Sequence, residues 1–167
     1  MIDTDANQWT TAVKFIVAGI PRPAGSKRYL GRSKAGKPIL ADDCKRAPAW
    51  RADVQNAARM EWADRPLLDE PIRLCLTFLL ERPKSHFGTG RNAGVLKDSA
   101  PPFPTTKPDL TKIVRAIEDA LTKVIWKDDS RVMWQENKKL YGAKPGVVVK
   151  VQVLAQETAG PDDREKR

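Results

Sequence analysis

Apolar residues along this chain recur with two periods, and the period changes from run to run. The strongest helical signal covers residues 110–124. At about 100° per residue, Leu110, Ile113, Val114, Ala116, Ile117, Ala120, Leu121 and Val124 fall within an arc of roughly 160°. Thr111, Lys112, Arg115, Glu118, Asp119 and Thr122 fill the other side, so one face packs on a core and the other carries charge. Pro108 and Asp109 mark the start: proline has the φ of a helix entry, and the aspartate carboxylate accepts a first-turn N–H. Residues 48–63 (PAWRADVQNAARMEWA) predict a surface helix, with Trp50 and Trp62 as core anchors rather than base stackers.

The remaining runs have strand character. In Ile72–Leu80 (IRLCLTFLL), Ile72, Leu74, Leu76, Phe78 and Leu80 alternate onto one face while the other is only partly polar, which places this strand near the centre of a sheet. Val13–Gly19 predicts a first strand, ended by the Pro/Gly loop GIPRPAGS. Residues 131–141 and 147–154, separated by GAKPG, predict an antiparallel hairpin with Val147, Val149, Val151 and Val153 on its apolar face. The expected architecture is a single α+β domain in the order β-α-β-α-β-β, a mixed sheet with two helices packed on it. A flexible N-terminus (1–10), the domain (11–156) and a flexible charged tail (157–167) complete the layout.

At 167 residues the chain can bury one good core and is short for two domains. Its 30 Lys and Arg against 21 Asp and Glu give a formal charge of +9 and a pI near 9.7, which favours a polyanionic partner. No apolar run approaches the roughly 20 residues of a membrane helix, so no membrane partner is expected. The start, MIDTDANQWT, lacks the positive and apolar regions of a secretory signal, and a cytoplasmic location is expected. Cys44 and Cys75 lie in dissimilar surroundings that do not suit a disulfide, and two cysteines with one histidine cannot make a four-ligand zinc site. No small-molecule cofactor is expected: Gly88, Gly90 and Gly94 lack the spacing of a dinucleotide fingerprint.

The positive charge is concentrated. Between Arg22 and Arg51 stand nine basic residues, including Lys27, Arg28, Arg32 and Lys34, opposed only by Asp42 and Asp43. A solvated basic loop has the same composition; the functional reading is an arm that contacts phosphates, with Tyr29 able to stack on a base. The long loop 81–107 is also basic, with Arg82, Lys84, Arg91, Lys97 and Lys107 against Glu81 and Asp98, and a loop of that length is functional or disordered. His86 lies in it and reads as a bystander in preference to a general base. The DNA-contact candidates are Arg22, Lys27, Arg28, Lys84, Arg91 and, on the polar helix face, Lys112.

Carboxylates stand at both ends of the 110–124 helix. Asp109 reads equally as an ordinary N-cap or as part of a chemical site, and the plain reading of Asp119 is an ion pair with Arg115. Asp128 and Asp129, adjacent like charges before Val132 and Trp134, form either a solvated turn or a cation site. The segment TTKPDLTKIVRAIEDALTKVIWKDDSRVM resembles the RusA family of Holliday junction resolvases through three spaced elements: D-L-x-[KN]-[LI]-x-[KR], D-A-L and W-x-D-D-[SA]-x-V. The turn G-x-P-x-P-x-G-S at 19–26 matches as well, and weaker similarity extends from Phe15 to Val153.

The resemblance implies a small dimeric, Mg²⁺-dependent endonuclease, with Mn²⁺ as a substitute ion, that cuts four-way DNA junctions in recombination and repair. It places metal binding and catalysis on Asp109, Asp128 and Asp129, and makes Arg115 the basic group at the scissile phosphate. The partners it implies are branched DNA and a second copy of the chain. The family pattern has a second aspartate two residues after the first, where this chain has Thr111, and a hydroxyl is a poorer Mg²⁺ ligand than a carboxylate. The rival expectation is therefore a non-catalytic junction-binding or architectural DNA-binding protein. A straight helix of roughly 16 Å would also hold Asp109 away from Asp129. An extended return of Thr122–Asp128 by about 23 Å could close that gap within one chain, and completion across a dimer is the alternative.

Overall fold

The computed structural model describes residues 8–24, 27–42 and 45–155. Its elements in chain order are β1 (Trp9–Ala18), β2 (Lys27–Arg32), β3 (Pro38–Asp42), α1 (Ala47–Trp62), β4 (Ile72–Leu80), α2 (Leu110–Leu121), β5 (Val132–Tyr141) and β6 (Gly146–Leu154). Four strands form a mixed sheet in the order β1-β6-β4-β5, antiparallel except for the parallel β4–β5 pair, while β2 and β3 pair with each other alone. Without that small hairpin the order is the expected β-α-β-α-β-β. Parallel neighbours cannot be joined by a tight turn, and here α2 and the long loop before it make the crossover from β4 to β5.

The core lies between one face of the sheet and the two helices. Ile72, Leu74, Leu76 and Phe78 of β4 are fully buried, and Val147, Val149 and Val151 of β6 lie beside them in register. From the helices come Trp50, Val54, Ala58 and Trp62 of α1, and Ile113, Ile117, Ala120 and Leu121 of α2, on the arc their spacing predicts. Each fully buried aliphatic side chain contributes about 1.5–3 kcal/mol, and packing of the apolar arc leaves the charged side of α2 outward.

Three expectations are corrected. The last two strands are not a hairpin: β4 lies between them. β5 (VMWQENKKLY) is too polar to fill an inner position and takes the edge, while β4 is apolar enough on both faces to pair on both sides. The connection therefore crosses the end of β4, with Gly142 N–H donating to the Leu80 carbonyl at 3.0 Å. A Cβ at Gly146 would meet the Val17 carbonyl oxygen at 2.6 Å, so this position needs glycine, while one at Gly142 would stand a tight 3.2 Å from Leu79 Cβ. Second, the basic stretch after residue 26 contains the β2–β3 hairpin. Third, β1 begins at Trp9, inside the N-terminal stretch expected to be flexible; residues 1–7 and the tail from 156 lie outside the described residues. The loop 81–107 is held in place by two 3-10 turns (Lys84–His86, Gly90–Asn92), by Arg82 stacked 4.0 Å over the Tyr141 ring, and by Lys97 N–H donating to the His86 carbonyl.

Candidate active-site cleft

The polar side of α2 faces the first half of α1 across a cleft of about 1090 Å³. Thr111, Lys112, Arg115, Asp119 and Thr122 recur at helical spacing along one wall, Arg51 and Gln55 stand on the other, and Asp129 closes one end. Ala24, Ala47, Ala52 and Ala116 fill the space between, so the lining is small except where it is polar or charged. The Ala24 N–H donates to the Lys112 carbonyl at 3.0 Å, which fixes the Pro/Gly segment on α2. Ala24 precedes the β2–β3 hairpin and Ala47 follows it, so this basic arm springs from the cleft rim.

Asp129 is positioned from several directions. Past α2 the chain makes a tight turn in which Val124 and Ile125 N–H groups donate to the Leu121 carbonyl and Lys123 N–H donates to that of Trp126. Trp126 is wholly buried, and its Nε1–H donates to Thr122 Oγ1 at 3.1 Å. The backbone of Leu68 hydrogen-bonds both Ile125 and Lys127. The Asp69 carboxylate then grips the two sides of the aspartate turn, bonding Lys127 Nζ at 2.6 Å and Arg131 Nη2 at 2.7 Å. The Lys127 hydrogen bond is the largest cause holding the Asp69 carboxyl below its usual range.

The predicted site residues separate into groups. Asp129, Arg115 and Lys112 line the cleft; Asp109 and Asp128 do not. Asp128 caps the 3-10 turn Asp129–Arg131, its Oδ1 accepting the Ser130 N–H at 3.0 Å, and hydrogen bonds from Ser130 lower its carboxyl. Asp109 has the extended backbone of an N-cap but makes no side-chain capping bond; it pairs with Lys112 Nζ at 3.4 Å. Asp129 lies instead toward the far end of α2, near Glu118 and Thr122. From Asp109 to Glu118 the helix rises about 13 Å, and the tight turn 122–127 does not carry the chain back along it. Asp129 lines the cleft and Asp109 does not, and among the described residues no three His, Cys, Asp or Glu side chains converge as a ready metal cage.

Other placements differ from expectation. Asp119 pairs with Arg51 of α1 at 3.5 Å, not with Arg115. Glu118 is half-buried, and Gln135 Nε2 donates to its Oε1 at 2.5 Å. Burial, with Asp129 and Asp119 adding negative charge, pushes its carboxyl up. Lys84 and Arg91 sit in the 3-10 turns of the long loop, outside the cleft, and His86 lies edge-on to Tyr141, also outside it. Lys27 and Arg28 belong to β2 by backbone, their side chains lying outside the described part, and Arg22 is half-buried before the arm. Arg51, Asp69 and Glu118 were not singled out by sequence reasoning, because each gains its meaning from a partner brought close by the fold.

The cleft of this mixed α+β domain thus carries Arg51, Lys112 and Arg115 together with Asp119 and Asp129. Residues 21–152 match the family described as Endodeoxyribonuclease RusA, and the chain belongs to that family. It is also similar to a Bacillus subtilis (strain 168) protein named "Uncharacterized protein YqaN", 29% identical over 150 residues that cover 86% of this chain and 97% of that one. No helix among the described residues is long and apolar enough to cross a membrane.

The cleft suits a hard divalent cation in its donor chemistry. Mg²⁺ is commonly held by one or two carboxylates together with substrate phosphates, in place of an all-protein cage. Asp129 and Asp119 supply two carboxylates, and Arg115, Lys112 and Arg51 supply positive charge for the phosphate.

Proposed function

We propose that the protein is a structure-selective endodeoxyribonuclease that hydrolyses phosphodiesters in four-way DNA junctions, in recombination and repair. The observation that carries this reading is the α1–α2 cleft, where Asp129 and Arg115 of the family pattern meet on one surface at the root of a basic arm. In the reaction a water oxygen bonds to phosphorus, the bond from phosphorus to one sugar oxygen breaks, and a phosphate monoester and a free hydroxyl result. Arg115 holds the scissile phosphate and offsets the charge that builds on its oxygens. Lys112 and the β2–β3 arm align the flanking backbone, and the alanine-lined walls let that backbone approach.

Asp129 and Asp119 would hold Mg²⁺, or Mn²⁺ in its place, which when bound supplies an activated water and stabilises the leaving oxygen. Asp109, which lies outside this cleft, would join such a site from a second protomer. A two-fold dimer serves that purpose and also presents paired sites to the symmetric strands of a junction. Thr111, in place of the family's second aspartate, supports the second reading of a binder without catalysis.

Incubation of the protein with a labelled synthetic four-way junction and with linear duplex, in Mg²⁺ and in EDTA, tests the proposal. Cleavage of the junction alone, in Mg²⁺ alone, is expected. Binding without cleavage in either Mg²⁺ or Mn²⁺ selects the non-catalytic reading, and equal cutting of duplex refutes junction selectivity.

A further inference from the structure

Arg51 is the one cleft cation, among the described residues, that reaches across to a carboxylate on the opposite wall. Its Nη2 lies 3.5 Å from Asp119 Oδ2, with the two side chains 51% and 36% exposed. Lys112 pairs within its own helix with Asp109, and Arg115 has no ion pair among the described residues. The Arg51–Asp119 contact is single, long and solvated, a class of pair that contributes little to stability. A guanidinium has five N–H donors in a planar fork suited to two phosphate oxygens. Arg51 uses one of them here, and no other hydrogen bond from it is formed among the described residues. The uncharged lining residues Ala24, Ala47, Pro48, Ala52 and Ala116 are small, and the half-exposed Arg51 side chain is open to a backbone entering the cleft.

Resting on the reading of the cleft as the junction site, we propose that Arg51 is a phosphate-binding residue held by Asp119 until DNA arrives, when it exchanges that carboxylate for a DNA phosphate. The exchange has two consequences. It adds a bidentate phosphate contact on α1, opposite those on α2, and it releases Asp119 to the cleft. It also predicts energetic coupling: removing the Asp119 charge frees Arg51 in advance and strengthens its phosphate contact.

The test measures affinity for a fluorescein-labelled synthetic four-way junction in EDTA at several salt concentrations, so that neither metal nor cleavage enters. The full-length wild type is compared with Arg51→Ala, Arg51→Lys, Asp119→Asn and the Arg51→Ala/Asp119→Asn double variant, each checked by its thermal unfolding midpoint. Arg51→Ala should weaken binding about fivefold and lower the slope of log affinity against log salt by about one. Arg51→Lys should keep the slope while recovering only part of the affinity, because an ammonium lacks the planar fork. Asp119→Asn should tighten binding, and the tightening should shrink at least threefold when Arg51 is alanine.

Equal tightening by Asp119→Asn in both backgrounds would overturn the exchange, since Asp119 would then act only by repelling DNA. Unchanged affinity and slope in Arg51→Ala, with losses in Arg115→Ala, would overturn the contact while leaving the cleft reading intact. Absence of junction binding by the wild type would remove both. If Arg51→Ala lowers the unfolding midpoint, Arg51→Gln takes its place with the same expected outcomes.

Discussion

Thr122 links the end of α2 to the turn that carries Asp129, and replacing it with valine isolates what its hydroxyl contributes. The hydroxyl donates to the Glu118 carbonyl at 2.9 Å and accepts the Trp126 indole N–H at 3.1 Å. Valine has nearly the same shape, and its branched Cβ tolerates the extended backbone found here (φ −60, ψ 130). The Glu118 carbonyl keeps a partner, because it also accepts the Thr122 N–H at 3.0 Å. The indole N–H loses its partner, and Trp126 is 0% exposed, so no water replaces the hydroxyl without the core opening. A buried donor left unsatisfied costs about 1–3 kcal/mol, which sets the expected loss at about 2 kcal/mol. With a urea slope of about 2 kcal/mol per molar, the unfolding midpoint should fall by about 1 M. Thr122→Ser keeps the hydroxyl and should lose less than about 1 kcal/mol. A valine variant within about 0.5 kcal/mol of wild type, or a serine variant as unstable as the valine one, would show that the Thr122–Trp126 bond does not hold this turn.

Removing the raised carboxyl with Glu118→Gln should stabilise the metal-free protein near neutral pH. The folded state holds that proton above the ordinary value of 4.5, so wild-type stability falls as pH rises through the window above it. The advantage of the variant should vanish as pH drops below about 4.5, and chemical denaturation across that range checks it; a gap independent of pH would count against it. Junction DNA should bind more tightly than linear duplex and lose affinity steeply with salt, and a flat salt response refutes the phosphate-contacting arm. Thr111→Asp adds a hard oxygen to the cleft wall and should lower the Mg²⁺ concentration for half-maximal cleavage; an unchanged or higher midpoint means that another carboxylate already fills the role.

Much of the fold was legible because its signals are local. The arc of α2 and the alternation of β4 follow from burial on one side, and the structure reproduces both spans closely. The β5–β6 pairing was not legible, since a turn shows that two strands run in opposite directions but not whether a third strand lies between them. The β2–β3 hairpin was not legible because KRYLGR and PILAD are short, charged or irregular, and Tyr29, Leu30 and Ile39 in them are exposed. At the candidate site, Asp129 and Arg115 were marked by their motif. Arg51 and Asp69 depend on partners 68 and 58 residues away in sequence, a relation no spacing rule reveals. Residues 122–127 could have been extended and instead fold back on themselves through Trp126.

The most direct test of the cleft as a catalytic centre is Asp129→Asn, measured for junction binding and for strand cleavage in the same Mg²⁺-containing samples. Asp129 is exposed at the end of the cleft and outside the hydrophobic core, so the neutral amide should leave the fold intact. Loss of its charge beside phosphates should leave binding unchanged or tighter, while cleavage falls below detection. Cleavage at the wild-type rate by a variant that still binds the junction would contradict the account and move the chemistry away from this cleft.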